Sequence, residues 1–171
     1  MIKFIPQDTS VVFREIPDEI SLAINISNCQ NNCVGCHSAY LKQNLGEELT
    51  ETEADSLIEK NKGVTCICFM GEGNDFSALT DIMQYIKSKY GLKIALYSGR
   101  NEVNEELYYK ILDYLKIGPY IAELGPLDNP KTNQRLYMKV PFSIETDISG
   151  KKRKNWMDIT GKFWDKQLLN K

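Results

Sequence analysis

Three of the chain's five cysteines, Cys29, Cys33 and Cys36, fall within eight residues in the spacing C-x3-C-x2-C, and the only histidine, His37, follows directly. One compact loop can wrap three such thiolates around a metal centre, and soft thiolates favour zinc, copper(I) or iron–sulfur clusters. A structural zinc site is closed by four ligands, usually from two C-x2-C-like knuckles. Here there is one run of three and no second knuckle. His37 adjoins Cys36, and neighbouring residues seldom reach one tetrahedral ion together. Cys66 and Cys68 could supply a fourth thiolate, but their i, i+2 spacing inside an apolar run turns both to one strand face, where free cysteine is a common core residue. A [4Fe-4S] cluster on three thiolates keeps one iron open for a ligand. A zinc site, a cluster and a loop of idle cysteines all remain readings of these residues alone.

The elements that must position the loop alternate between strand and helix. "SLAINIS" (Ser21 to Ser27) alternates apolar Leu22, Ile24 and Ile26 with small or polar residues, a strand pattern, and leads straight into the cysteine loop. Thr50 and Glu53 form a capping box, after which Ala54, Leu57 and Ile58 share one helix face. "VTCICFM" (Val64 to Met70) is β-branched and apolar between Gly63 and Gly71, and reads as a buried strand. Phe76, Leu79, Ile82, Met83, Ile86 and Tyr90 recur at helical steps, and Gly91 ends that helix. "KIALYS" is a further strand, Asn104 can cap a helix carrying Leu107, Ile111 and Leu112, and "DYLKIGPYIAEL" holds a short strand before Gly118-Pro119. This order predicts parallel strands with crossover helices. Such folds place their sites at the C-terminal ends of the strands, where the cysteine loop lies.

Beyond residue 125 the pattern weakens to a turn-rich excursion, a short strand and a short terminal helix, with Phe163 and Trp164 packing back on the body. A full eightfold barrel takes about 250 residues. With 171 residues the chain fits an open partial barrel or an open sheet, in a single domain.

Apolar residues make up 42% of the chain and charged residues 26%, which are globular values. The net charge of −2 argues against a nucleic-acid surface as the main business. The basic run Lys151-Lys152-Arg153-Lys154 reads as a solvated turn. "MIKFIPQ" carries no signal-peptide pattern and no apolar run is long enough to span a bilayer, so a cytoplasmic, non-membrane protein is expected. Thiols stay reduced there, which favours metal binding or chemistry over disulfides.

The C-x3-C-x2-C loop after the first strand of a β/α chain resembles the signature of the radical S-adenosylmethionine (SAM) superfamily, with Cys29, Cys33 and Cys36 in its three positions. That superfamily carries a Gly-Gly-Glu-Pro-like motif at the end of the second strand. Here that strand ends "CFMGEGNDF": Gly71 and Glu72 match, Met70 replaces the first glycine and Gly73 the proline. The short length, "CVGCHSAYL", "LKIGPYIAEL" and "TNQRLY" narrow the resemblance to the anaerobic ribonucleotide reductase activating proteins, over roughly residues 20 to 140, with a C-terminal extension from about 141 to 171.

The resemblance implies an open, partial (β/α) barrel of the radical SAM type with parallel strands. It implies a [4Fe-4S] cluster on Cys29, Cys33 and Cys36, and SAM bound near Gly35, Cys36, His37, Gly71, Glu72, Ser98 and Arg100. His37 stands where these activases commonly have an aromatic residue against the adenine, and Glu72 would receive the methionine ammonium. Arg100 is a candidate contact for the carboxylate or ribose, although it reads more readily as an exposed turn arginine, and Ser98 and Gly99 at the same strand end share that ambiguity. The implied activity is reductive cleavage of SAM, followed by removal of a hydrogen atom from a glycine in the large catalytic subunit of anaerobic ribonucleotide reductase. A flavodoxin-like or ferredoxin-like donor would supply the electron. Asn133, Gln134 and Arg135 form a candidate partner-facing segment. The alternatives are an activase of another glycyl-radical enzyme, a radical SAM enzyme acting on a small molecule, and a non-catalytic zinc or iron–sulfur module.

Overall fold

The computed structural model describes residues 1–103, 106–146 and 152–164. Two short strands, β1 (Lys3–Phe4) and β2 (Ser10–Val12), precede β3 (Ser21–Asn25). After the cysteine loop come β4 (Glu47–Glu48), α1 (Glu51–Lys60), β5 (Cys66–Met70), α2 (Phe76–Tyr90), β6 (Lys93–Tyr97), α3 (Glu106–Ile111) and β7 (Tyr114–Ile117). A long strand β8 (Arg135–Thr146) and β9 (Lys152–Asp158) follow.

Local chemistry accounts for the helix ends. The Thr50 hydroxyl accepts from the Glu53 amide at 3.2 Å and opens α1. The Asp75 carboxylate accepts from the Ala78 amide at 3.0 Å and opens α2. Gly91, at φ 65°, closes α2 in the left-handed conformation that only glycine adopts without strain. Asn104, the expected cap of α3, lies outside the described residues.

The main sheet runs β2-β3-β5-β6-β7-β8-β9. Its centre, β3-β5-β6-β7, is parallel, as the helix-strand alternation requires. Both flanks are antiparallel: β2 on β3 at one side, β8 on β7 and β9 on β8 at the other. The two edges, β2 and β9, are not paired with each other, so among the described residues the sheet is open. β1 and β4 form a separate two-stranded ribbon.

Side-chain alternation gives the sheet two apolar faces. Leu22, Ile24, Ile67, Phe69, Ile94, Leu96, Leu115 and Ile117 pack against Ala54, Ile58, Leu79, Ile82, Met83 and Ile86 from α1 and α2. The opposite face carries Cys66, Cys68, Ala95, Tyr114 and Leu136, covered by Ile16, Leu127 and Ile159. Glu19 seals that face near the start of the parallel strands. Its buried carboxylate accepts from Thr65 and Tyr114, each at 2.6 Å, and pairs with Lys93.

Three expectations need correction. The sheet is mixed, because the chain returns from β7 antiparallel and adds a hairpin instead of another β/α unit. The strand expected to be short before residue 140 runs from Arg135 to Thr146, so the boundary drawn there falls inside β8. Lys152, Arg153 and Lys154 belong to β9, in register with Thr146, Glu145 and Ile144, instead of a turn; Lys151 lies outside the described residues. Beyond Asp158 the described residues form a 3-10 turn, Thr160–Phe163, after which Trp164 donates to the Leu127 carbonyl at 3.2 Å; the rest of the expected terminal helix lies outside the described residues.

Candidate functional site

The cysteine loop is a closed excursion from the C-terminal end of β3. Its stem is fixed by backbone pairing: the Asn28 amide donates to the Gln43 carbonyl at 3.2 Å and the Cys29 amide to the Leu41 carbonyl at 2.9 Å. Cys29, Cys33 and Cys36 are all half-buried and free of disulfides. The Asn31 amide lies 3.9 Å from Cys29 Sγ, within hydrogen-bond range for sulfur. Gly35 turns the chain at φ +71° between the second and third thiols. His37 packs edge-on against Tyr120, with ring centroids 4.9 Å apart and planes at 85°.

The turn after β5 supports the same stem. A Cβ on Gly73 would stand 2.5 Å from Ile2 Cδ1 and 3.1 Å from the Ser27 carbonyl, and its φ is +63°. That backbone excludes proline, whose φ is fixed near −65°. Gly71, at φ +107°, brings the chain against the Ile26 carbonyl.

Between these glycines Glu72 is buried, 4% exposed. Arg100 donates to it from Nε at 3.0 Å and from Nη2 at 2.7 Å, a bidentate pair, while the guanidinium lies 4.9 Å from the centre of the Phe76 ring. The Ser98 hydroxyl accepts from the Arg100 amide at 3.0 Å. Glu72, Ser98 and Arg100 thus form one group at the ends of β5 and β6. Gly99, between the latter two, is covered by Asn31, whose amide nitrogen would be 2.8 Å from any Cβ there. The segment between the first two cysteines therefore rests on the turn that carries Arg100.

Lys116 of β7 was not singled out by the sequence. It is 7% exposed, and its Nζ donates to the Gly118 carbonyl at 2.8 Å and reaches the Ser98 carbonyl at 3.5 Å. Burial pushes its pKa down to about 8, against the pull of Cys33 and Cys36. Tyr120 and Ala122, just beyond Gly118-Pro119, flank Gly35. The signal for Lys116 was a lone lysine at an inward position of "YLKI", two residues from Tyr114.

Cys66 and Cys68 are fully buried on the inner face of β5, and burial pushes the Cys66 thiol up to about 12 and Cys68 well above its ordinary value. Protonated thiols are poor ligands, which matches core packing. Asn133, Gln134 and Arg135 turn into the chain itself. The Asn133 amide donates to the Pro119 carbonyl at 3.0 Å, Gln134 is buried, and Arg135 donates to the Thr132 and Gln134 carbonyls at 2.7 Å.

Three soft thiolates on one loop are a donor set that an iron–sulfur cluster accepts, as zinc or copper(I) would. Among the described residues no three His, Cys, Asp or Glu side chains converge on a point where a single ion would sit. No helix among the described residues is long and apolar enough to cross a membrane. Compared with protein-family models, curated proteins and solved structures, the chain has no match.

Proposed function

We propose that this chain is a radical SAM enzyme that activates a glycyl-radical enzyme, with anaerobic ribonucleotide reductase as its partner. The observation that carries the reading is the C-x3-C-x2-C loop itself: three free, half-buried thiols at the C-terminal end of β3, braced by the Gly71-Glu72-Gly73 turn. In this reading the open sheet is a partial barrel of the radical SAM type.

Cys29, Cys33 and Cys36 would hold three irons of a [4Fe-4S] cluster. The bound cluster supplies one-electron reduction, delivered by a flavodoxin-like or ferredoxin-like donor, for cleaving the sulfonium of SAM. The chain's own residues bind and orient the substrate. Glu72 offers a carboxylate to the methionine ammonium and Arg100 a guanidinium to the methionine carboxylate, so SAM would enter by exchanging with their mutual pair. Gly35 and Gly71 let backbone approach the ligand closely. His37, held by Tyr120, presents a ring to the adenine. Hydrogen transfer requires the reacting atoms to come within roughly 3–3.5 Å. An open sheet admits a protruding glycine-bearing loop to that distance, where a closed barrel would exclude it.

The test is anaerobic incubation of iron- and sulfide-loaded protein with SAM and dithionite. Methionine and 5′-deoxyadenosine are expected from the wild type and from Cys66→Ala or Cys68→Ala, and not from Cys29→Ala, Cys33→Ala or Cys36→Ala. A glycyl-radical signal on adding the large reductase subunit would identify the partner. Full SAM cleavage by Cys33→Ala would overturn the assignment.

A further inference from the structure

Lys116 is a buried cation whose hydrogen bonds go to neutral carbonyls. Alternation along β7 turns Tyr114 and Lys116 to the face that carries Cys66, Cys68 and Ala95, away from the helices. The ammonium is held by the Gly118 and Ser98 carbonyls and lies 5.9 Å from the centre of the Tyr97 ring. Among the described residues no carboxylate pairs with it. Glu72, the buried acid at the neighbouring strand end, is engaged by Arg100. A buried ammonium with only dipoles around it destabilises the fold, since it has left water without gaining a counter-charge. Lysine at this place therefore points to an anion that the bare chain does not provide.

The surroundings say where that anion sits. The Gly118 carbonyl that holds the ammonium opens the turn whose Tyr120 packs on Gly35 and His37. Those two residues flank Cys36, so the turn that holds the ammonium rests against the third-cysteine end of the loop. We propose that Lys116 is the fixed counter-charge of the thiolate-bound iron–sulfur cluster and raises its reduction potential. This inference rests on the radical SAM reading above. A thiolate-ligated cluster is anionic and gains a further negative charge on reduction. A cation fixed nearby in a poorly solvated site stabilises the reduced form more than the oxidised one. Lys116 is thus a positioning residue for charge and touches no reacting atom.

The test is a mediated redox titration of loaded protein, followed by electron paramagnetic resonance and run without SAM so that no substrate carboxylate contributes. Lys116→Met and Lys116→Gln should both bind the cluster and shift its one-electron reduction equilibrium at least tenfold toward the oxidised form, about 59 mV. Lys116→Arg should restore the wild-type midpoint. Met at this site also removes a buried charge, so the variant is expected to fold. A loaded Lys116→Met protein with the wild-type midpoint overturns the inference alone, including the case in which only SAM affinity falls. A wild-type protein that takes up no cluster overturns the underlying reading, and this inference with it.

Discussion

Arg100 grips the buried carboxylate of Glu72 with two hydrogen bonds, from Nε at 3.0 Å and Nη2 at 2.7 Å, across the ends of two neighbouring parallel strands. Glu72 is almost fully buried and Arg100 less so, so the two halves of the pair are unequal. Removing the guanidinium strands a charge away from water, whereas removing the carboxylate leaves a cation that can still be hydrated. Arg100→Met should therefore lose about 2 kcal/mol of stability, and adding Glu72→Gln should recover part of that loss. Urea unfolding of the two single variants and the double variant reads the coupling. Strictly additive losses would contradict the pair's role.

Gly73 and Gly91 share nearly the same left-handed backbone, at φ +63° and +65°, but only Gly73 is crowded. Alanine at Gly91 should cost about 1–2 kcal/mol, the left-handed penalty alone. Alanine at Gly73 should cost clearly more, because its Cβ meets Ile2 and the Ser27 carbonyl. Thermal unfolding of the two variants side by side isolates the steric part, and the Gly73→Ala protein should also hold less iron.

Tyr120 braces the third-cysteine end of the loop through His37. Tyr120→Phe keeps the ring and should behave as wild type. Tyr120→Ala should lose about 1 kcal/mol, the size of an edge-to-face aromatic contact, and should bind SAM less tightly. Equal SAM affinity in all three proteins would remove His37 and Tyr120 from the binding surface.

Glu19 makes acid the vulnerable side of the fold. Burial alone would raise its carboxyl, but hydrogen bonds from Lys93, Thr65 and Tyr114 outweigh burial and hold it below the ordinary 4.5. A carboxyl with a depressed folded-state pKa contributes stability that is complete above its unfolded value and is lost as pH falls through the folded one. Glu19→Gln should therefore be less stable than wild type at pH 7, and the gap should narrow on titration from about pH 5 downward. A gap independent of pH would show that the carboxylate's charge contributes nothing.

The parallel centre of the sheet was legible because β3 alternates, β5 and β6 are largely apolar runs, and α1 and α2 carry 3.6-residue repeats with clear caps. The flanks were not. β1, β2 and β4 are two or three residues long, too short to show a period. The β8–β9 hairpin was obscured by Lys152, Arg153 and Lys154, whose charge reads as a solvated turn until pairing with Ile144–Thr146 makes it a strand. The three thiols could be read from spacing, but their supports could not. Asn31 on Gly99, Tyr120 on His37 and Lys116 at the Ser98 carbonyl all join residues far apart in sequence.

The most direct measurement is electron paramagnetic resonance of the anaerobically loaded, reduced protein with and without SAM. A three-thiolate site with an open iron predicts a [4Fe-4S]⁺ signal that changes shape when SAM is added. A protein that takes up no cluster, or a signal indifferent to SAM, would contradict the account and leave the loop as a plain metal-binding module.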